Sequence, residues 1–489
     1  MLLGLDLGTT NVKAVITDFA GRHLGEGLCP VRLFQKGGGG VEQDIEEIWS
    51  ATLTAVRQVV QAVDGSGIQA IGVSSQGGAM QPLDAQGRPN GRVISWLDQR
   101  GAAFNDALGA ELGQQWFAER LGHGRAGLAI GQLLRMRQEN PGLLAASNRI
   151  GFVGDVIVSR LCGRAAHDGT SCSLTLLYNP ACRDYDPDLL ARLGVTPAQL
   201  PALLPARQEA GGLLPAVAQE TGLRPGIPVS AAIHDQYTAA LAVGAVRVGT
   251  VMVGTGTAWV LLAVGNRLTA PATPEAFACH HAAEGLWGQI LSLGNGGSAL
   301  SWALELTGHT QAGGEEIDCL LESAPPGSDG LLCWPFLTAL TVPGLAPKAK
   351  GRISGLQLSH EPGHVVRAVL EGLAFELKRH IGLLRGAGMP IERLVLSGRA
   401  AASRVTPQVL AAVTGLPLVC TGSGASSALG AAIIARGLCE PASPLVNLAE
   451  EMQPAEESHV EPAAEASLSY EAQFEEYQRS LPLSGANSL

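Results

Sequence analysis

Two stretches of this chain repeat one device, and the repeat limits the folds open to it. The first is an apolar run, Leu2 to Leu7, then Gly8-Thr9-Thr10-Asn11, then a second run from Val12 to Asp18 that ends at the Ala20-Gly21 turn. The second is Thr250 to Val253, then Gly254-Thr255-Gly256-Thr257, then Ala258 to Val264. Apolar runs of this length around Gly and Thr read as β-hairpins. Leu7-Gly8-Thr9-Thr10 aligns with Val253-Gly254-Thr255-Gly256, and the shift from Gly8 to Gly254 is about half of the 489-residue chain. Each half therefore opens with strand, Gly-Thr turn, strand, which implies a duplication and two related α/β domains. The length agrees, because one hydrophobic core rarely organises so many residues.

The segments between the hairpins supply the α component. Ile45, Ile48, Trp49 and Leu53 recur at helical spacing behind Asp44. Ala70 to Ser74 and Pro228 to Ala232 read as buried strands, and Pro-rich breaks interrupt residues 197 to 228. Helices are expected over 295–306 and 362–384, the latter carrying Val365, Val366, Val369, Leu373, Leu377 and Ile381. The strand Leu394 to Leu396 ends at Ser397-Gly398, and Gly422-Ser423-Gly424 leads into a small-residue helix from Ala425 to Ala435. The expected division is 1–243, 244–483 and a frayed polar tail, 484–489.

Composition excludes several function classes. With 46% apolar and 16% charged residues the chain is globular rather than disordered. A net charge of -11 argues against a nucleic-acid binder. Nine cysteines without a C-x-x-C pair read as reduced thiols in a cytoplasmic protein. No signal-peptide pattern opens the chain, since Asp6 interrupts it, and no apolar stretch is long enough for a membrane span. Cys279, His280 and His281 are adjacent, but neighbours on a strand point to opposite faces and rarely share one zinc ion.

The turns carry the chemistry. Asp6-x-Gly8-Thr9-Thr10 places a carboxylate at a strand end, where it suits Mg²⁺ coordination through water. Its Gly permits the tight turn, and Thr hydroxyls with turn N–H groups can face phosphate oxygens. Gly254-Thr255-Gly256-Thr257 is the same device again, so two turns can grip one polyphosphate. Asp235, in Ile233-His234-Asp235-Gln236, follows a strand and opens an Ala- and Leu-rich helix. Taken by itself it reads as a helix N-cap. The helix N-terminus is expected to lower its pKa and keep it ionised to accept a proton. Gly422-Ser423-Gly424 reads either as a helix-entry loop or as backbone brought close to a nucleotide.

These segments together resemble the FGGY carbohydrate kinases, and most closely their xylulokinase branch, over nearly the whole chain. The resemblance rests on GLDLGTTNVKAVITD at residue 4, VEQDIEEIW at 41, SWLDQR at 95, HDQYTAALAVG at 234 and VGTGTAWVLLAVG at 253. NGGSALSW at 295, VRAVLEGLAFEL at 366 and GSGASSALGAA at 422 complete it. It implies an α/β, duplicated actin-like (ribonuclease H-like) fold of two domains, with ATP and sugar in an interdomain cleft. It implies ATP and Mg²⁺ as cofactors, with Asp6 as the metal residue and Asp235 as the catalytic base. The cofactor-binding residues it implies are Thr9, Thr10, Asn11, Lys13, Gly254, Thr255, Gly256, Gly398, Arg399 and Gly424. Gln76, Gly77, Gly78, Trp96, Asp98, Asp235 and Gln236 fall on the sugar side, and Cys279-His280 resembles a structural Phe-Cys-His stretch.

Three departures from the family pattern stand out. Gly77-Gly78 stand where the family usually has a Met-His or Arg-Glu pair that contacts sugar, so an emptier pocket, or one filled from elsewhere, is expected. The Gly-Glu-Arg-x-Pro segment appears as Ala339-Leu340-Thr341-Val342-Pro343, and the Gly-Gly-Gly-Ala-Arg-Ser run as Ser397 to Ser403. The expected reaction is phosphorylation of D-xylulose by ATP. The alternatives are a kinase for another ketose, a polyol or glycerol, or a non-catalytic nucleotide or sugar sensor. The expected partners are a small sugar and ATP, with no nucleic acid and no membrane; a homodimer is left open.

Overall fold

The computed structural model describes residues 1–338, 345, 349–422, 426–453 and 457–481. Gly424, the Ala339–Pro343 segment and the tail from 484 therefore lie outside the described residues. The chain forms two units: Met1–Val246 with Asn266–Gly288 and Ala425–Gln453, and Arg247–Gly265 with Gln289–Gly424 and Pro454–Leu489. A single boundary after residue 243 does not describe this division, because the chain passes repeatedly from one unit to the other.

In the first unit the sequence hairpin is present as β1 (Leu2–Leu7) and β2 (Asn11–Thr17), antiparallel, with Asp6 opposite Lys13. Adding β3 (His23–Pro30), β4 (Ala70–Ser75), β5 (Ala166–His167), β6 (Ala202–Leu203) and β7 (Pro228–His234) gives a sheet ordered β6-β5-β7-β4-β1-β2-β3. β1, β4 and β7 run parallel, with Asp6 beside Ser74 and Ile233 beside Ser74 on its other side. Their carboxyl ends therefore meet at one edge, the edge where open α/β sheets place their ligands.

Helices cover both faces. Helix Ile45–Ala62 is capped by Asp44, which accepts from the Glu46 N–H at 2.9 Å, and buries Ile45, Ile48, Leu53, Val56 and Val59. Helix Ser426–Cys439 packs on β1 and β4, and glycine makes that approach possible. A Cβ on Gly4 would lie 1.9 Å from the Ala428 carbonyl oxygen, and one on Gly72 1.8 Å from that of Ala431. A Cβ on Gly430 would lie 1.7 Å from the Thr238 carbonyl oxygen, so this helix also nests against helix Asp235–Ala242. A separate five-stranded sheet, built from short strands including Gly40–Gln43, Met80–Leu83, Val93–Ile94 and Arg149–Phe152, was not legible in the sequence.

The second unit repeats the plan. β8 (Thr250–Thr255) and β9 (Trp259–Gly265) form the second hairpin. With β10 (Trp287–Ser292), β11 (Arg393–Gly398), β12 (Leu418–Thr421) and β13 (Glu457–Val460) the order is β10-β9-β8-β11-β12-β13. β8 lies parallel to β11 as β1 lies parallel to β4, which is the duplication the Gly-Thr repeat implied. The expected helix at 362–384 runs Pro362–Gly386 and is held to helix Ala464–Arg479 by a buried charge network. There Glu371 accepts from Arg367 Nε at 3.0 Å, Tyr470 OH at 2.7 Å, Ser328 Oγ at 2.8 Å and the Gly327 N–H at 2.9 Å.

Candidate active site

Two carboxylates face one another at the carboxyl edge of the first unit's sheet. Asp6 lies near the end of β1, and Asp235 begins the helix that follows β7. Burial, helped by the negative charge of Asp235, pushes the Asp6 carboxyl up to about 7 against a hydrogen bond from Ser74 and the charge of Lys13. Burial likewise pushes Asp235 up to about 6, against hydrogen bonds from the Gln236 side chain and backbone. The expectation that the helix N-terminus lowers this pKa is thus corrected: loss of hydration outweighs the helix field. At pH 7 the group is still mainly ionised, and a base titrating just below neutrality is well matched to proton transfer.

Two hydroxyls pack between Asp6 and the backbone of Asp235. Ser74 Oγ lies 3.1 Å from Asp6 Oδ1 and 2.9 Å from Thr238 Oγ1, and Thr238 Oγ1 donates to the Asp235 carbonyl at 2.9 Å. His234 Nε2 lies 3.2 Å from Asp235 Oδ1, and burial pushes this imidazole down to about 3, so it is neutral. A neutral ring that carries its proton on Nε2 can donate to the carboxylate and orient it. The sequence assigns no role to Ser74, Thr238 or His234: Ser74 lies in β4, His234 ends β7, and Thr238 stands in the first turn of the Asp235 helix.

The first Gly-Thr turn meets the sugar-side residues. Thr9 Oγ1 donates to Gln76 Oε1 at 3.2 Å and accepts from Trp96 Nε1 at 3.1 Å. Its hydroxyl is therefore committed to Gln76 and Trp96, which corrects the view that it faces phosphate freely. Gln43 joins the cluster, donating to the Thr9 carbonyl at 2.9 Å and accepting from Gln76 Nε2 at 3.1 Å. Gln43 stands in the VEQDIEEIW stretch, the one signal that could have found it. Thr10 and Asn11 are exposed and bonded to each other, Asn11 Nδ2 to Thr10 Oγ1 at 3.1 Å. Lys13 lies 3.5 Å from Glu26.

Asp98 turns out to be structural. Its carboxylate accepts from Arg100 Nε and Nη2, the Val41 and Arg100 N–H groups and Gln132 Nε2. Burial works to raise its pKa, but these donors hold it below the usual carboxylate range. The Gly77-Gly78 space is not empty. A Cβ on Gly77 would lie 2.6 Å from Leu174 Cβ and 2.8 Å from His234 Cδ2. Gly78 adopts φ +73°, and a Cβ there would lie 2.7 Å from the Leu174 carbonyl oxygen. Leucines from elsewhere in the chain fill the space that side chains at 77 and 78 would take. Trp96 remains 45% exposed, an indole face open to a ligand.

The second Gly-Thr turn lines a cavity of about 870 Å³ within the second unit, together with Gly297, Ser298, Asp318, Arg399, Ser403 and Arg404. Gly254 pairs with Ser397 in register and Thr255 with Gly398, which adopts φ +91°. Thr255 Oγ1 donates to the Ser397 carbonyl at 2.5 Å and accepts from the Ala400 N–H at 3.3 Å, so this hydroxyl too is committed. Gly256 stays open: a Cβ there would meet no atom nearer than 3.7 Å, and its carbonyl accepts from the Gly297 N–H at 3.0 Å. Asp318, missed in the sequence, anchors the far wall by accepting from Ser403 Oγ and the Arg404 N–H. The threonine hydroxyls thus hold both turns in shape, and Gly256 keeps its backbone open to the cavity.

Among the described residues no group of three or more His, Cys, Asp and Glu side chains is placed to hold a metal ion. Cys279 donates to the Gly169 carbonyl, and His280 Nε2 lies 2.8 Å from Tyr178 OH. No helix among the described residues is long and apolar enough to cross a membrane.

Comparison with known proteins places the chain in a family and a fold. Residues 1–242 match the N-terminal domain of the FGGY family of carbohydrate kinases, and residues 249–436 match its C-terminal domain. The xylulose kinase of Escherichia coli strain K12 is 29% identical, over 99% of this chain and 100% of its own. The glycerol kinase of Gloeobacter violaceus is 30% identical, over 85% of this chain and 84% of its own. In fold, the crystal structure of xylulose kinase from Rhodospirillum rubrum matches with a TM-score of 0.90 at 24% identity, covering 98% of this chain and 97% of that one.

Proposed function

Because the chain belongs to the FGGY family of carbohydrate kinases and is an ATP-dependent sugar kinase, we propose that it phosphorylates D-xylulose, with Asp235 as the general base. The observation that carries the choice of sugar is the end-to-end match to a xylulose kinase, set against a glycerol kinase aligned over a smaller share of both chains. Asp235 takes the hydroxyl proton as the sugar oxygen attacks the γ-phosphorus in line. His234 holds the carboxylate, and Ser74 and Thr238 pack its helix beside Asp6. Trp96, oriented by Thr9 and Gln76, offers an apolar face to the C–H side of the sugar. The Gly256 turn and Arg399 bind nucleotide phosphate through N–H groups and positive charge already aligned.

The carboxylates fit a Mg²⁺ ion held through water by Asp6, since a cation would relieve the repulsion that Asp235 imposes on it. When bound, it supplies neutralisation of charge between the β- and γ-phosphates. ATP turnover with D-xylulose, D-ribulose, glycerol and gluconate tests the reading. The highest kcat/KM is expected with D-xylulose; sharp selectivity for glycerol or gluconate would replace it.

A further inference from the structure

Gly77 and Gly78 follow β4 as neighbours, and the backbone demands glycine at only one of them. Gly78 adopts φ +73°, a conformation that strains any side chain. Gly77 lies outside that region, so its backbone accepts alanine. Its neighbours do not. A Cβ on Gly77 would stand 2.6 Å from Leu174 Cβ and 2.8 Å from His234 Cδ2, inside the 3.0 Å that real Cβ atoms keep. Leu174 Cβ is bonded directly to the backbone that ends helix Gly169–Ser173, so it cannot turn aside. The imidazole can, by rotation about its side-chain bonds. It is therefore the group that a side chain at 77 displaces.

That imidazole flanks the carboxylate of Asp235. His234 is 6% exposed, and its Nε2 lies 3.2 Å from Asp235 Oδ1. Its backbone is pinned: the His234 N–H donates to Thr170 Oγ1 at 3.2 Å, and Thr170 Oγ1 donates to Asp168 Oδ1 at 2.7 Å. The Tyr237 ring packs edge-on, with centroids 6.1 Å apart. Nδ1 is buried with no hydrogen-bond partner, whereas Nε2 faces the carboxylate. A lone pair on Nε2 would repel Oδ1, so the proton resides there and the ring donates. With the backbone held, the freedom left is rotation of the ring, and the wall of Gly77 and Leu174 limits it. We propose that Gly77 is a positioning residue of the reaction: its missing side chain leaves the seat in which the His234 imidazole stands and aims Asp235 at the sugar hydroxyl. The inference rests on the reading of Asp235 as the general base. It joins Gly77 and His234 in one device, so a change at either produces the same loss.

The test is a double-mutant cycle of Gly77→Ala and His234→Ala, with His234→Gln and Asp235→Asn beside it. The kcat and the KM for ATP are measured with whichever of D-xylulose, D-ribulose, glycerol and gluconate the wild type uses best. Each single variant is expected to lower kcat about ten- to hundredfold, as a misplaced catalytic group does, while the KM for ATP stays at the wild-type value. His234→Gln, whose amide can donate to the carboxylate, recovers part of the loss. In the double variant kcat matches that of His234→Ala within about twofold, because alanine at 77 then has no imidazole to displace. Losses that multiply in the double variant overturn the inference, as does wild-type kcat in either single variant or a KM for ATP that rises as far as kcat falls. Should Gly77→Ala fail to fold, the double variant decides: folding restored by removal of the imidazole supports the shared seat, and failure to fold again overturns it. Wild-type kcat in Asp235→Asn, or transfer to none of the four acceptors, overturns the reading of the base as well. A slow Asp235→Asn beside a wild-type His234→Ala overturns this inference only.

Discussion

Replacing Gly72 by alanine adds one methyl group where helix Ser426–Cys439 crosses β4, and the structure fixes what it meets. The new Cβ would stand 1.8 Å from the Ala431 carbonyl oxygen and 2.7 Å from its carbon, whereas real Cβ atoms keep at least 3.0 Å. The obstacle is backbone rather than a flexible side chain, so strand and helix must separate by about 1 Å. Overpacking of this kind costs about 1–3 kcal/mol or more. Alanine recovers about 0.4–1 kcal/mol by restricting the unfolded chain, so a net loss of about 1–2 kcal/mol is expected. Two units make a single unfolding free energy ill-defined. Hydrogen exchange, read on the amides of β1, β4 and helix Ser426–Cys439, is therefore the assay. Protection there should fall about five- to thirtyfold, as a loss of that size implies. Gly109→Ala, in helix Ala102–Leu121 with nothing within 4 Å of the new Cβ, is the control and should not weaken exchange protection. Wild-type protection in Gly72→Ala would refute the claim that glycine sets this helix–sheet distance.

Three further outcomes follow from the buried polar groups. Glu371→Ala removes the acceptor shared by Arg367, Tyr470, Ser328 and Gly327 and leaves a buried guanidinium unpaired; it should destabilise the second unit by about 3–5 kcal/mol, seen as early release of helix Ala464–Arg479 in hydrogen exchange. Burial pushes His380 down to about 4 from an ordinary 6.5, so its stabilising contribution is complete above pH 6.5 and is lost as pH falls towards 4. The acid limb of Tm against pH should accordingly flatten in His380→Gln by up to about 3 kcal/mol, and parallel curves would contradict this. Asp6→Asn should abolish Mg²⁺-dependent turnover while leaving the circular dichroism spectrum unchanged; full activity would remove Asp6 from the site.

The sequence made some of this legible and hid the rest for physical reasons. Both hairpins were readable because apolar runs broken by Gly and Thr have few other uses, and helix Ile45–Ala62 was readable from its spacing behind Asp44. Asp6 stood out at a strand end, whereas Asp235 read by itself as a helix cap and drew a catalytic role only from the family resemblance. The return of helix Ser426–Cys439 to the first unit leaves no local mark, since its cause is Gly4 and Gly72, hundreds of residues away. Asp98 reads as a sugar-side residue from the resemblance of the SWLDQR stretch, and the partners that saturate it, Val41 and Gln132, are too distant in sequence to show. The sign of the Asp235 shift was misjudged for a related reason: a helix start is visible in sequence, but the burial that outweighs it comes from the tertiary structure. Short strands such as Val93–Ile94 carry too few residues to show a period.

The central claim is that Asp235 accepts the proton as the sugar oxygen attacks. Asp235→Asn keeps the shape and the helix start and removes the charge. Single-turnover phosphoryl transfer to D-xylulose, measured beside nucleotide binding, tests it directly. Nucleotide affinity is expected to stay unchanged while the transfer rate falls by about 10²–10⁴-fold. A rate within about threefold of wild type, far short of a general base's contribution, would contradict it and leave Asp235 as a first-turn residue of its helix.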